Sequence, residues 1–205
     1  AKAFENPRSI LITGASSGIG EAIALAYAQS GVFLALSGRN EDRLMAVAAA
    51  CRLKGAEVEA VTLDVADAPT VTRWVEETDD HHRLDLVIAN AGISLRGARK
   101  DGGITRLLAV NVGGVFNTVL PLIPRFCQRH SGQIAIMSSV AGLRGLPSAP
   151  AYAASKAAVR SWGEGLRGRL AEDGVGVSVI CPGFVESGIT AANPFKMPLI
   201  MPADK

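Results

Sequence analysis

Six short apolar runs, at 9–13, 32–37, 57–63, 84–90, 133–138 and 175–181, alternate with five longer stretches of helical period, at 19–29, 41–54, 68–79, 105–129 and 151–172. Most of the short runs are continuously apolar, which is the pattern of strands covered on both faces. Strand–helix–strand repetition with short connections leaves few topologies, because parallel crossovers are right-handed and lay helices on the sheet faces. The chain is therefore expected to form one doubly wound parallel sheet, a three-layer α/β/α domain over residues 1–205. Gly113-Gly114 is expected to divide the stretch at 105–129, with Pro121 and Pro124 kinking or ending its later part.

Composition narrows the function classes. At 205 residues and 48% hydrophobic, the chain can bury about 70% of its unfolded surface, enough for a core without disulfides or metal. Twenty-one basic residues nearly match nineteen acidic ones, which argues against binding nucleic acid by phosphate neutralisation. Cys51, Cys127 and Cys181 are odd in number and far apart, neither a disulfide framework nor a zinc-ligand pattern. His81-His82 lies in a charged stretch, read as a solvated turn, and no metal site is expected. No apolar run approaches the ~18 residues of a membrane span, and residues 1–8 hold no apolar signal core. These features suit a cytoplasmic protein.

The first apolar run leads directly into Thr13-Gly14-Ala15-Ser16-Ser17-Gly18-Ile19-Gly20 and then into an Ala-rich helix. Three glycines let the backbone turn tightly and approach a pyrophosphate, and the helix N-terminus offers unpaired N–H groups and a positive dipole end. The alternative is a turn that only packs helix on strand. The spacing is Gly-x3-Gly-x-Gly, not Gly-x-Gly-x2-Gly.

Tyr152 and Lys156 stand four apart on an expected helix, so both project from one face. Ser139 follows the fifth strand on the carboxyl edge, where doubly wound sheets bind ligands. Reducing a carbonyl requires a proton donor at oxygen as hydride reaches carbon. A free tyrosine, with a pKa near ~10, is poorly matched to neutral pH. A neighbouring ammonium favours the phenolate, and every ~1.4 kcal/mol of that attraction lowers the pKa by about one unit. Ser138 is the alternative serine.

The glycine turn, Asn90-Ala91-Gly92, Asn111-Val112-Gly113-Gly114, Ser138-Ser139, Tyr152-Ala153-Ala154-Ser155-Lys156 and Pro182-Gly183 together make the sequence resemble the classical short-chain dehydrogenase/reductase family, over residues 9 to about 190. The resemblance implies a Rossmann fold. It implies a cofactor site formed by Gly14, Ser16, Ser17, Gly18, Ile19 and Gly20 under the pyrophosphate and nicotinamide, with Asp64 and Val65 bordering the adenine. Asn90, Ala91 and Gly92 would end the fourth strand, Pro182 and Gly183 would flank the nicotinamide, and Ser187 would supply a hydroxyl near the carboxamide or phosphates. It further implies that Tyr152 is the general acid/base and that Lys156 lowers its pKa and binds the nicotinamide ribose. Ser139 would hold the substrate oxygen, and Asn111 a water linking Lys156 to solvent. Asn111 can equally satisfy a helix kink.

Counted from Gly31 by the family's spacing, the position for a carboxylate that binds the adenine ribose diol is Gly38, and Arg39 follows it. A guanidinium fork suits a 2′-phosphate, and nothing at Gly38 repels one. NADP(H) is thus favoured over NAD(H), although Ser16 and Ser17 stand where many NADP-preferring relatives carry a basic residue. The expected activity is interconversion of a small-molecule carbonyl and a secondary alcohol. The alternative is a non-catalytic NAD(P)-binding regulator or redox sensor, which need not keep Ser139, Tyr152 and Lys156 together. Substrate determinants are expected at 94–103, 143–150 and 184–198, an apolar set with Leu143, Leu146, Phe184, Ile189, Phe195 and Met197; residues 184–205 form the substrate-loop region. A homodimer or homotetramer pairing the helices at 105–129 and 151–172 is the family expectation. So is a further strand and helix after Pro182-Gly183; the proline-rich residues 193–202 do not supply it, and 203–205 read as a helix opening. The sequence is thus expected to be part of a longer chain.

Overall fold

Among the described residues, six parallel strands form a single sheet in the order β3-β2-β1-β4-β5-β6. They are β1 (Ser9–Thr13), β2 (Phe33–Gly38), β3 (Glu57–Thr62), β4 (Leu86–Ala89), β5 (Gly132–Met137) and β6 (Val175–Ile180). The structure is a computed structural model and describes residues 6–98, 102–186, 190 and 199–203. Every residue of β1, β2 and β4 is buried, as expected of strands covered on both faces. At the β3 edge the run is partly exposed, with Glu57 and Glu59 outward.

Helices α1 (Gly18–Tyr27) and α2 (Glu41–Leu53) pack Ala24, Leu44, Val47 and Cys51 on one face, against Ile10, Ile12, Leu34 and Leu36. The opposite face receives α3 (Ala68–His82), the short α4 (Leu95–Ala98), α5 (Gly103–Leu108), α6 (Gly114–Val119), α7 (Leu122–Gln128) and α8 (Pro150–Arg169). Its core runs through Trp74, Leu107, Val115, Phe126, Ile134 and Val159. Asn40 caps α2 by accepting the Arg43 N–H at 2.9 Å, and Asp67 does the same for α3 at Thr70.

The stretch expected to break at Gly113-Gly114 instead continues through a π-helical turn, Ala109–Gly113, and breaks at Leu120-Pro121. Gly114 is needed for packing, since a Cβ there would lie 2.5 Å from Val65 Cγ2. By length and composition alone, Gly103–Gln128 would be long and apolar enough to span a bilayer. Its Leu107, Val110, Val119 and Leu122 are nevertheless the core beneath the sheet.

His81 and His82, expected on a solvated turn, form the last turn of α3. The His82 ring stacks on Phe33, centroids 3.5 Å apart, and its Nε2 lies 3.3 Å from Glu59 of β3. Apolar contact across the sheet edge therefore extends the helix beyond Asp79. Asp79 itself is buried and accepts Arg129 at 2.7 and 3.0 Å, Arg125 at 3.3 Å and the Leu84 N–H at 2.9 Å. Among the described residues, no three His, Cys, Asp or Glu side chains converge as a metal site.

Candidate active site

The strand order reverses between β1 and β4, which opens a crevice at the carboxyl ends of the strands. Four hydrogen bonds fix its floor. The Thr13 hydroxyl accepts the N–H groups of Asn90 (3.1 Å) and Ala91 (3.2 Å), and Asn90 Nδ2 donates to the carbonyls of Thr13 (3.0 Å) and Gly14 (3.3 Å). Gly14 has φ +69°, and a Cβ there would sit 2.8 Å from Ala91 Cα. At Gly20 a Cβ would lie 2.3 Å from the Gly14 carbonyl oxygen, so only glycine lets α1 approach the turn this closely. Ser17 occupies the N-cap of α1 without a side-chain cap bond, leaving the first-turn N–H groups facing the crevice.

The crevice is a cavity of about 650 Å³. Its wall contains Gly14, Ser16, Ser17, Ile19, Gly20, Arg39, Asp64, Val65, Asn90, Ala91, Gly92, Ser139, Tyr152, Lys156, Pro182 and Gly183. Gly18, with φ +59°, turns the chain into α1 without lining the wall. Asn111 lies behind it, and Ser187 falls outside the described residues. Sequence reasoning missed Asn40 and Arg43, which line the same end as Arg39. The capping signal of Asn40 could have placed Arg43 one turn beyond Arg39.

At that end, a Cβ on Gly38 would lie 2.9 Å from Ser16 Cβ and Oγ, so Ser16 occupies the space where a side chain at position 38 would start. Burial acts to raise the Asp64 pKa. The hydrogen bond from Arg106, the Ala66 N–H at 3.0 Å and the charges of Arg106 and Arg39 outweigh it, and hold the carboxyl below its usual range.

At the other end, Pro150 starts α8 and places Tyr152 in its first turn, with Lys156 one turn further. Lys156 is buried, and its Nζ donates to the Met137 carbonyl at 2.9 Å and lies 5.9 Å from the Tyr152 ring centroid. Burial lowers its pKa from 10.5 to about 8, with neighbouring Cys181 acting the other way. The Ser139 hydroxyl stands beside the Tyr152 phenol and acts to lower its pKa. The lowered phenol pKa expected beside Lys156 is not found here. Burial pushes Tyr152 above its ordinary value and the Ser139 hydroxyl recovers only part of that, because a dehydrated phenolate costs more than these neighbours return.

The Ser139 hydroxyl also accepts the Ala141 N–H at 3.1 Å and caps a 3-10 turn, Val140–Gly142. The Ser138 hydroxyl points away from Tyr152, to the Lys156 carbonyl at 2.8 Å. Asn111, fully buried in the π-helical turn, donates to the Ile93 carbonyl (3.0 Å) and Ser155 Oγ (3.1 Å), and its Oδ1 accepts the Ile93 N–H (2.8 Å). Its side chain thus braces the turn against α8. Gly92 lies between it and Lys156, where a Cβ would be 3.4 Å from both Asn111 Oδ1 and Lys156 Nζ. Of the expected substrate determinants, Ser94, Arg96, Val185 and Thr190 line the crevice. Leu143 and Leu146 instead line a separate, shallower groove with Ala153, Ala154 and Arg160. The Phe184 carbonyl accepts the Met201 N–H at 3.0 Å, while Ile189, Phe195 and Met197 fall outside the described residues.

The sequence matches the family described as short chain dehydrogenase over residues 8–196. The chain belongs to the short-chain dehydrogenase/reductase family. It is accordingly an NAD(P)-dependent oxidoreductase. This dehydrogenase is 38% identical to an uncharacterized oxidoreductase of Myxococcus xanthus, across 95% of this chain and 78% of that one. A short-chain dehydrogenase from Sphingobium yanoikuyae in complex with NADPH superposes with a TM-score of 0.86 at 31% identity, over 96% of this chain and 79% of that chain. A short chain dehydrogenase/reductase from Burkholderia phymatum in complex with NAD does so at 0.83 and 33%, over 93% and 70%. The dehydrogenase fold therefore accommodates either cofactor, and side chains at the crevice must choose between them.

Proposed function

We propose that this dehydrogenase prefers NADP(H) and interconverts a small-molecule carbonyl and a secondary alcohol, with Tyr152 exchanging the proton at oxygen. The observation that carries the reading is the convergence of Tyr152, Ser139 and Lys156 on one end of a crevice whose other end presents Arg39 and no carboxylate at Gly38. The residues fit a dinucleotide: Gly14 and Gly20 form a cradle that a Cβ would fill, and the buried Ser37 hydroxyl in the crevice wall has no hydrogen-bond partner among the described residues. When bound, the nicotinamide supplies or accepts the hydride.

In this reading Gly14, Ser17, Ile19 and Gly20 hold the pyrophosphate with backbone N–H groups of the turn and of α1. Asp64 and Val65 border the adenine, and Asn90, Ala91, Gly92, Pro182 and Gly183 shape the nicotinamide end. Ser139 donates to the substrate oxygen and steadies the charge that develops there. Tyr152 gives that oxygen its proton during reduction and takes it back during oxidation. Lys156 keeps a positive charge beside the exchange and reaches toward the ribose, while Asn111 holds the π-helical turn and a water path to Lys156. A panel of ketones and aldehydes, followed by NADPH oxidation beside the same panel with NADH, tests the reading. No oxidation above background with any member would refute it.

The NADP preference rests on position 38. An acidic side chain there would have to displace Ser16, whereas glycine leaves a 2′-phosphate within reach of Arg39 and Arg43. Arg39→Ala is expected to weaken NADPH binding by roughly one to two decades and to leave NADH binding almost unchanged, the worth of one charge-assisted hydrogen bond. Equal loss for both cofactors, measured by fluorescence titration, would reduce Arg39 to a loop-shaping role.

The buried lysine gives the reaction a pH limit. Below about pH 8 Lys156 carries its charge, and above it the charge is lost, so kcat/KM for reduction is expected to fall as pH rises through that value. A profile flat from about pH 7 to about pH 10 would show that Lys156 stays protonated. Because the folded-state pKa lies below the unfolded one, the group burdens stability below about pH 8, and the burden lifts as pH rises toward 10.5.

The same reading places the enzyme in the cytoplasm as a homodimer or homotetramer. An assembly pairing α5–α7 and α8 would cover Leu120, which is 52% exposed, and the surface seam where Phe116 packs on Trp162, ring centroids 4.5 Å apart.

A further inference from the structure

We propose that Ser138 is a positioning residue for the proton exchange at Tyr152, holding the turn of α8 that carries Tyr152 and Lys156 against the end of β5. This rests on the function proposed above. Ser138 is buried and stands next to the serine that touches the phenol, yet its hydroxyl donates to the Lys156 backbone carbonyl at 2.8 Å. One residue earlier, the Met137 carbonyl accepts Lys156 Nζ at 2.9 Å. Consecutive residues of one strand end thus grip both the backbone and the ammonium of the same lysine.

The grip closes from a third side. Gly142 rides so close to α8 that a Cβ there would lie 2.8 Å from the Lys156 carbonyl carbon and 2.9 Å from its oxygen. The strap of residues 138–142 is in turn tied to the end of β6, by the Ser138 N–H to the Ile180 carbonyl (2.8 Å) and the Val140 N–H to the Pro182 carbonyl (3.0 Å). The Lys156 carbonyl already lies in a helix, where it has an N–H partner one turn on, so the Ser138 hydroxyl is not required to satisfy it. Its effect is to fix the height of that turn relative to Ser139. A displacement of about 1 Å in such a constellation is enough to slow chemistry without abolishing ligand binding.

The test has two arms, one independent of turnover. In the cofactor-free protein, NMR of lysines labelled at Cε follows the titration of Lys156, whose Nζ is faced by Tyr152, Cys181 and the Met137 carbonyl. Ser138→Ala is expected to shift the midpoint away from about 8 toward the ordinary lysine value, as the loosened turn admits water. In the kinetic arm, Ser138→Ala is expected to lower kcat about tenfold, the worth of one buried hydrogen bond, while KM and the NADPH Kd stay within about twofold. Ser138→Thr, which keeps the hydroxyl, is expected to retain most of the rate. If Ser138→Ala does not fold, Gly142→Ala presses on the same carbonyl and should shift the same midpoint. An unmoved midpoint, or a moved midpoint with unchanged kcat, or equal losses in the Ala and Thr variants, would overturn the proposal. Absence of carbonyl reduction by the unmodified protein would instead refute the proposed function and leave the titration arm to decide on the grip.

Discussion

Tyr152→Phe is expected to lower turnover by about 10²–10⁴-fold while NADPH still binds with near-normal affinity. The substitution removes one oxygen. The ring stays packed against the apolar core on this face of the sheet, so neither fold nor crevice loses shape. What disappears is the proton donor, with its polar contact to Ser139. Burial holds the Tyr152 pKa above its ordinary value, which makes the phenol a protonated acid across the neutral range, ready to donate to a carbonyl. Steady-state rates measured beside NADPH fluorescence titration separate the two effects. A Phe variant with near-normal turnover would eliminate Tyr152 as the donor.

The largest stability effect is expected far from the crevice. Asp79→Ala should cost about 3–5 kcal/mol, the range for breaking a buried ion pair by removing one partner. Asp79 is 5% exposed and joins the end of α3 to α7 through Arg129 and Arg125, and to the chain entering β4 through the Leu84 N–H. Without it, Arg129 keeps its place over the Phe126 ring, 4.7 Å from the centroid, but faces an unfilled acceptor site. Urea unfolding followed by circular dichroism measures the loss. A change below about 1 kcal/mol would mean that water reaches both arginines as readily as Asp79 does now.

The strands were legible in the sequence because burial on both faces writes itself as an unbroken apolar run. The run at 9–13 coincides with β1, and that at 175–181 overshoots β6 by one residue. The glycine turn and the Tyr152/Lys156 spacing were legible for the same local reason. The π-helical turn at Ala109–Gly113 was not. Its extra residue per turn is stabilised by Asn111 bonding to Ile93, eighteen positions away, and no local propensity reports such a partner. The Arg106 bond to Asp64, across forty-two positions, was hidden likewise. His82 read as surface because its charge-rich neighbours are, while its ring meets Phe33 from another layer. The phenol pKa was misread in direction, since a charge four residues away is visible in sequence and the depth of burial is not.

The four hydrogen bonds that tie Thr13 and Gly14 to Asn90 and Ala91 span 76 to 78 positions of chain. Contacts of such sequence separation must await loop closure, so they form with the assembling sheet and not ahead of it. The crevice therefore does not exist in any partly folded chain that lacks the β1–β4 pairing. A dinucleotide that recognises this floor acts on the finished fold alone: it slows unfolding by holding the native state, and leaves the rate of folding unchanged.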